Sequence, residues 1–81
     1  GVALELAPHG IRVNTLAVGA VETDMNQAVR DNPDLLQQVN AGIPMGRFGL
    51  PDEVAAVAVD LLASGSYVTG TSIIIDGGWF L

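Results

Sequence analysis

This 81-residue sequence is most informative in what it lacks: it contains no cysteine, no lysine and one histidine, His9. Without cysteine there is no disulfide framework, and one histidine cannot build a structural zinc site. Without lysine the chain has no Schiff-base nucleophile and no step assisted by a lysine ammonium group. Small domains gain support from disulfides, metals or partner chains, so association with other protein is the support that remains.

Positive charge is also scarce. Arg12, Arg30 and Arg47 stand against nine acidic residues, and the formal net charge is −6. Binding to nucleic acid or to an anionic membrane needs a basic surface, so we expect neither partner. The longest apolar run, residues 54–59, is far shorter than the roughly 20 residues that span a bilayer. No secretory signal is visible at the amino-terminal end, and the absence of cysteine suits a reducing compartment, so we expect a cytoplasmic location.

Four helical segments are predicted from apolar spacing and from end signals. Residues 1–10 have the pattern of the end of a helix, with Gly10 after it. Thr23 or Asp24 is expected to cap a short second helix, and Asn32-Pro33 to start a third. The fourth, residues 51–63, is stopped by Gly65 and is apolar nearly all round, so we expect it to be buried on more than one side.

Two strands are predicted, over residues 11–18 and 67–75, because both segments are rich in β-branched and apolar residues. Asn14 interrupts the first of them, so its amide needs hydrogen-bond partners. A strand, a long helical connection and a second strand imply parallel pairing. Two parallel strands do not make a stable sheet. The predicted class is therefore α/β, with this chain as one portion of a larger doubly wound parallel sheet.

The residues by themselves predict no complete catalytic or metal site. No serine lies in a nucleophile elbow, and His9 lies at a predicted helix end, where capping is the simpler role. The acidic pairs at 22/24 and 52/53 have no histidine beside them, so helix capping is favoured over a metal site or glycosidic chemistry. The glycines at 42, 46 and 49 lack the spacing of a phosphate-binding loop.

The motifs nevertheless occur in an order that resembles the C-terminal part of the short-chain dehydrogenases/reductases. They read ALELAPHGIRVN, VGAVETDM, IPMGRFGLPDEVA and YVTGTSIIIDGG, and with LLAS the resemblance covers essentially the whole chain. Within the family, the sequence is most similar to 3-oxoacyl-carrier-protein reductases and glucose 1-dehydrogenase-like members. The resemblance implies a Rossmann-type sheet and the reduction of carbonyls, or oxidation of alcohols, with NAD or NADP.

The resemblance also implies what this chain supplies. Residues 1–81 would form a single partial domain, in which residues 24–50 correspond to a lobe that closes over substrate. The Gly-rich cofactor loop and the catalytic Tyr-Lys pair of the family lie upstream, and Tyr67 is followed four positions later by Thr71 instead of lysine. No catalytic residue is therefore assigned here, and the chain alone is expected to be inactive and to bind no cofactor.

One turn matches the family's cofactor motif, which reads Pro-Gly-x-x-x-Thr where this sequence reads VGAVET. By the resemblance, Gly19 lets the backbone pass close to the nicotinamide and the main chain of Val21 meets the carboxamide. The Thr23 hydroxyl lies near the carboxamide and the phosphates. Val18 replaces the proline, which makes the turn less rigid, and the alternative for Thr23 is a plain helix cap.

Further hypotheses concern the oligomeric state of the protein and the function of the chain as a whole. The resemblance implies a homo-oligomer through the last helix and strand, for which Ile73 to Ile75 and Trp79 to Leu81 suit an apolar interface; ordinary core packing is the alternative. A second hypothesis for the chain is a stand-alone self-associating or partner-binding module without catalysis. An unrelated catalytic use of the acidic residues is a third.

Overall fold

The computed structural model describes residues 1–79; Phe80 and Leu81, which the interface expectation included, lie outside them. The helices are α1 (Val2–Leu6), α2 (Gln27–Arg30), α3 (Pro33–Ala41) and α4 (Pro51–Ser64), the strands are β1 (Thr15–Val18) and β2 (Ser72–Ile75), and 3-10 turns cover Ala7–His9 and Asp24–Asn26.

The two strands form a parallel pair in register, with Thr15 opposite Ser72 and Val18 opposite Ile75. The ladder extends one residue past β1, where the Gly19 N–H donates to the Ile75 carbonyl at 2.9 Å. Because the strands are parallel, their carboxyl ends meet at one edge. The α/β class and the parallel pairing expected from the element order are both confirmed.

The strands are shorter than predicted: each has four residues, where about six to eight were expected for the first and nine for the second. Before β1, the Asn14 side chain forms hydrogen bonds where backbone pairing was expected. Its amide nitrogen donates to the Val68 carbonyl at 3.0 Å, and its oxygen accepts the Thr71 N–H at 3.1 Å. Gly70, at φ +74°, also turns the chain just before β2. The predicted bounds were therefore wrong, while the expectation that Asn14 has partners is confirmed.

Local end signals gave the helix boundaries more accurately. Gly10 has a left-handed conformation after the first helical segment, as predicted. The Asn32 side chain accepts the N–H groups of Asp34 and Leu35 at 3.1 and 3.2 Å and so caps α3, with Pro33 as its first residue. Gly65 follows α4 as predicted, although the helix ends at Ser64, one residue later than expected.

Arg12 ties the segment before β1 to the end of α4. Its guanidinium donates to the carbonyl oxygens of Leu61, Leu62 and Val68 at 3.3–3.4 Å. The last carbonyls of a helix have no partner within the helix, and the negative end of the helix dipole favours a cation there. Arg12 is thus a C-terminal cap brought from a distant part of the sequence.

Much of the apolar surface of this chain is uncovered. Within residues 1–79 the buried apolar side chains are Ala20, Val21 and Ile43, whereas Leu62 of α4 is 75% exposed. The expectation that α4 is buried on more than one side is therefore wrong for these residues alone. The radius of gyration is 15.9 Å, against about 12 Å for a compact domain of this length. The chain presents an open layer rather than an enclosed core.

Candidate functional site

The carboxyl ends of the two strands meet through a close contact between Gly19 and Asp76. A Cβ placed on Gly19 would lie 3.1 Å from the Cα of Asp76, which is a tight contact, and 2.5 Å from its Cβ, a distance that real Cβ atoms essentially never show. Glycine is required here by packing, since Gly19 does not have a positive φ angle. Asp76 is itself buried and accepts the N–H of Gly78 at 2.8 Å. Gly19 thus allows the turn after β1 to lie directly against the end of β2.

The next residues of this turn pair with the loop that precedes α4. Val21 forms a parallel bridge with Gly49, in which the Gly49 N–H donates to Ala20 at 2.7 Å and the Glu22 N–H donates to Gly49 at 2.9 Å. In such a bridge the central residue's own N–H and C=O point away from its partner. The Val21 side chain is buried. The backbone N–H of Val21 has no hydrogen-bond acceptor among residues 1–79. This peptide group is therefore available for a ligand.

The side-chain amide of Asn26 closes the turn from the other side. Its nitrogen donates to the Val21 carbonyl at 2.7 Å, and its oxygen accepts the Thr23 N–H at 3.0 Å. Thr23 is exposed and occupies the position before the 3-10 turn Asp24–Asn26. Of the two residues predicted to begin this helical segment, Thr23 rather than Asp24 is therefore the one in the cap position.

Arg30 holds the same turn through α2. Its Nε donates to the Asn26 amide oxygen at 2.8 Å, and one terminal nitrogen donates to the Thr23 carbonyl at 3.0 Å. The other terminal nitrogen lies 3.4 Å from a carboxylate oxygen of Glu22. Sequence reasoning missed both Asn26 and Arg30 as site residues. Their spacing of four on a predicted helix is the signal that could have indicated contact.

The loop that carries Gly49 is fixed by an ion pair. Arg47 and Glu53 form two hydrogen bonds of 2.7 and 2.9 Å, and Glu53 also accepts the Leu50 N–H at 2.9 Å. The hydrogen bond from Arg47, followed by the one from Leu50, lowers the pKa of Glu53 from 4.5 to about 2. The capping role expected for this acidic residue is confirmed.

We expect Glu53 to remain ionised in strongly acidic solution. Since its pKa is lower in the folded than in the unfolded chain, its contribution to stability is fully present above pH 4.5 and disappears as the pH falls toward 2. An NMR titration of the Glu53 carboxyl carbon should show a midpoint near pH 2, and Arg47→Ala should return it toward 4.5. A midpoint near 4.5 in the unmodified protein would contradict the assignment.

A cleft of about 330 Å³ lies beside this turn, between it and the segment that contains α3. Its lining residues are Glu22, Arg30, Leu36, Asn40, Arg47, Phe48 and Leu50. The side-chain oxygen of Asn40 is buried without a hydrogen-bond partner in the described part of the chain. The lining of the cleft therefore combines charged and apolar side chains.

Residues 1–79 contain neither a metal-binding cluster nor a membrane-spanning helix. No cluster of three or more histidine, cysteine or acidic side chains is arranged to hold a metal ion. No helix combines the length and the apolar character needed to cross a bilayer.

A turn at the carboxyl edge of parallel strands is where Rossmann-type proteins bind nucleotides. Residues 1–80 of this chain match the family model described as Enoyl-(Acyl carrier protein) reductase. The chain therefore belongs to this family of short-chain dehydrogenases/reductases, and its relatives are NAD(P)-dependent oxidoreductases.

Individual relatives agree in sequence and in backbone. Galactitol 2-dehydrogenase (L-tagatose-forming) from Cereibacter sphaeroides is 44% identical over 79 residues, which are 96% of this chain and 31% of the relative. The Pseudomonas aeruginosa RhlG/NADP active-site complex aligns with a TM-score of 0.92 at 42% identity, over 99% of this chain and 33% of that one. The structure of 4-hydroxyisoleucine dehydrogenase complexed with NADH aligns with a TM-score of 0.88 at 26% identity, over 96% and 32%.

The chain thus spans about a third of the length of the proteins that it matches. The expected family and Rossmann-like fold are confirmed by these matches.

Proposed function

We propose that this chain forms the C-terminal third of an NAD(P)-dependent oxidoreductase that reduces a carbonyl or oxidises an alcohol. The motif order supports the C-terminal placement, and the share of each relative that the chain matches supports the length of about one third. The rest of the protein would supply the Gly-rich loop and the Tyr-Lys pair, neither of which is in this sequence. In this proposal the protein acts in the cytoplasm, and the 81 residues alone transfer no hydride.

The observation that carries the proposal is the backbone of Val21 at the carboxyl edge of the sheet. Its N–H lacks an acceptor among residues 1–79, in a residue that is only 8% exposed. An unpaired N–H in a buried place costs about as much free energy as a lost hydrogen bond, so a ligand acceptor there is favourable. The nicotinamide carboxamide has one carbonyl acceptor and one NH₂ donor, which complement a peptide N–H and C=O.

The three residues of the turn then have distinct roles. Val21 binds the carboxamide through its main chain, and Gly19 lets the backbone lie close to the nicotinamide. The Thr23 hydroxyl binds near the carboxamide and the phosphates. When bound, the nicotinamide supplies or accepts the hydride. One of the two solved relatives contains NADP and the other contains NADH, so the proposed coenzyme is NAD or NADP.

Residues 24–50 form the lobe that closes over the substrate in this proposal. Two contacts support a link between lobe and turn: Asn26 and Arg30 bond directly to residues 21–23. The cleft beside the turn is lined by residues of both.

A chimera tests the proposed function directly. In it, residues 1–81 replace the matching third of the Pseudomonas aeruginosa RhlG protein. We expect the isolated chain to show no sustained NAD(P)H turnover with carbonyl substrates, whereas the chimera binds NADPH. Val21→Pro, which removes the N–H, should weaken NADPH binding by the chimera about tenfold, the effect of one hydrogen bond.

Val21→Ile is the matched control, because it keeps the N–H and should leave the affinity within about twofold. Sustained turnover by the isolated chain, or a chimera that folds without binding NADPH, would overturn the proposal. A stable oligomer of the isolated chain without nucleotide affinity would instead favour the self-associating module.

We further propose that the protein is a homo-oligomer that uses α4 and β2. Val59 and Leu62 on α4 are 61% and 75% exposed, and Ile74 on β2 is 62% exposed. Apolar side chains of this size suit the centre of an interface between subunits. Leu62→Glu places a charge in this interface and should therefore split the oligomer into species of lower mass, as measured by light scattering. Leu35→Glu, at an exposed leucine of α3, is the control and should leave the mass unchanged.

A further inference from the structure

We propose that Asn26, oriented by Arg30, is a positioning residue that presets the peptide groups of residues 21–23 for the nicotinamide. This inference rests on the proposed function. It concerns a side chain that need not touch the cofactor itself, because its two hydrogen bonds are to the backbone of Val21 and Thr23.

The turn is held from two sides, and Asn26 supplies one of them. Gly49 binds the Ala20 carbonyl and the Glu22 N–H at 2.7 and 2.9 Å. On the opposite side, the Asn26 amide binds the Val21 carbonyl and the Thr23 N–H at 2.7 and 3.0 Å. Four polar groups of the backbone between Ala20 and Thr23 are thereby fixed in direction, while the Val21 N–H between them has no acceptor among residues 1–79.

Packing cannot replace these bonds at the far end of the turn. Thr23 is exposed, and Met25 is 97% exposed, so neither side chain anchors the backbone. Without the Asn26 amide, the Thr23 N–H and the Val21 carbonyl would turn toward water. The peptide groups would then have to be ordered when the cofactor binds, and that ordering lowers affinity.

Arg30 determines which way the Asn26 amide faces. An amide oxygen accepts two hydrogen bonds, and here it accepts the Thr23 N–H and the Arg30 Nε at 3.0 and 2.8 Å. A reversed amide would place its NH₂ group against these two donors and its oxygen against the Val21 carbonyl. Arg30 also binds the Thr23 carbonyl at 3.0 Å, so its planar group fixes amide and backbone together.

The geometry leaves room for the ligand. The Val21 carbonyl has two lone pairs, of which the Asn26 nitrogen uses one, so the other can accept the carboxamide NH₂. The effect of Asn26 is therefore confined to the nicotinamide end of the cofactor. A residue that only supported the fold would affect the adenosine end equally.

The test compares two ligands on the chimera. NADPH includes the nicotinamide, whereas 2′,5′-ADP keeps the adenosine phosphates and lacks it. We expect Asn26→Ala to weaken NADPH about tenfold, the effect of one hydrogen bond, with 2′,5′-ADP changed by less than about twofold. Arg30→Lys keeps the positive charge but loses the planar guanidinium group. It should weaken NADPH binding about threefold and leave 2′,5′-ADP binding nearly unchanged. This variant tests the inference even if Asn26→Ala fails to fold.

Asn32→Ala is the matched control, because Asn32 has the same amide but caps α3 and does not bind residues 21–23. It should leave the ratio of the two affinities unchanged. Equal weakening of both ligands by Asn26→Ala and Arg30→Lys would show a general structural role and overturn the inference, as would unchanged NADPH affinity. An unmodified chimera that binds 2′,5′-ADP and not NADPH would instead remove the proposed function on which the inference depends.

Discussion

Gly19→Ala should destabilise the chimera by about 1–3 kcal/mol, and Gly19→Val should abolish NADPH binding. The added Cβ would lie 2.5 Å from the Cβ of Asp76, and Asp76 is buried and cannot move aside freely. Overpacking at a close contact forces the backbone to shift, which has a cost of this size. Here the shift would separate the turn from the end of β2. Urea unfolding and NADPH titration measure the two effects.

Gly42→Ala is the control for these variants. Gly42 has a φ of −86°, and the atom nearest to an added Cβ is the Val39 carbonyl oxygen at 3.5 Å, an ordinary contact. Its substitution should change stability by less than about 0.5 kcal/mol. If Gly19→Ala were as well tolerated as Gly42→Ala, the close approach of the two strand ends would not be a requirement of the fold.

Arg12→Ala should lower the free energy of unfolding of the chimera by about 2 kcal/mol. The variant removes the cation at the C-terminus of α4 and leaves the carbonyls of Leu61, Leu62 and Val68 without this donor. Hydrogen bonds from charged groups contribute about 1.5–3 kcal/mol. The three distances are long, so we expect a value near that of one strong bond rather than the sum of three.

Arg12→Lys separates charge from geometry at the same position. Lysine keeps the cation beside the helix end but cannot reach three carbonyls with one ammonium group, so about half of the loss should remain. Gln38→Ala on the exposed surface of α3 is the control and should be nearly neutral. Full stability of Arg12→Ala would show that water replaces the guanidinium at no cost, contrary to the capping role.

Features decided by neighbouring residues were predictable from the sequence, and features decided by distant ones were not. The start of α3 follows from Asn32-Pro33, and the ends of two helical segments follow from Gly10 and Gly65. The strand bounds were wrong because Asn14 bonds to residues more than 50 positions away. Nothing in residues 11–14 themselves indicates that the Asn14 side chain takes the place of backbone hydrogen bonds between the strands.

The candidate site shows the same division. The turn at Gly19, Val21 and Thr23 could be named only because its motif resembles that of a known family. The contribution of Asn26 depends on where the Val21 carbonyl points, which the bridge to Gly49 determines.

The apolar pattern of α4 predicted burial on several sides, although residues 1–79 cover it on one. A sequence is adapted to the complete surroundings of a segment, and these include any part of the protein beyond this chain.

The parallel pairing of β1 and β2 also sets the order in which this part of the protein can fold. Thr15 pairs with Ser72, 57 positions later in the chain. Closing a loop of that length costs about 3.5 kcal/mol in chain entropy before any strand bond forms. Contacts this distant in sequence slow folding, whereas α3 and α4 can form within their own segments. On a ribosome, β1 would emerge well before its partner, so the edge at which Gly19 meets Asp76 would be among the last parts of the chain to assemble.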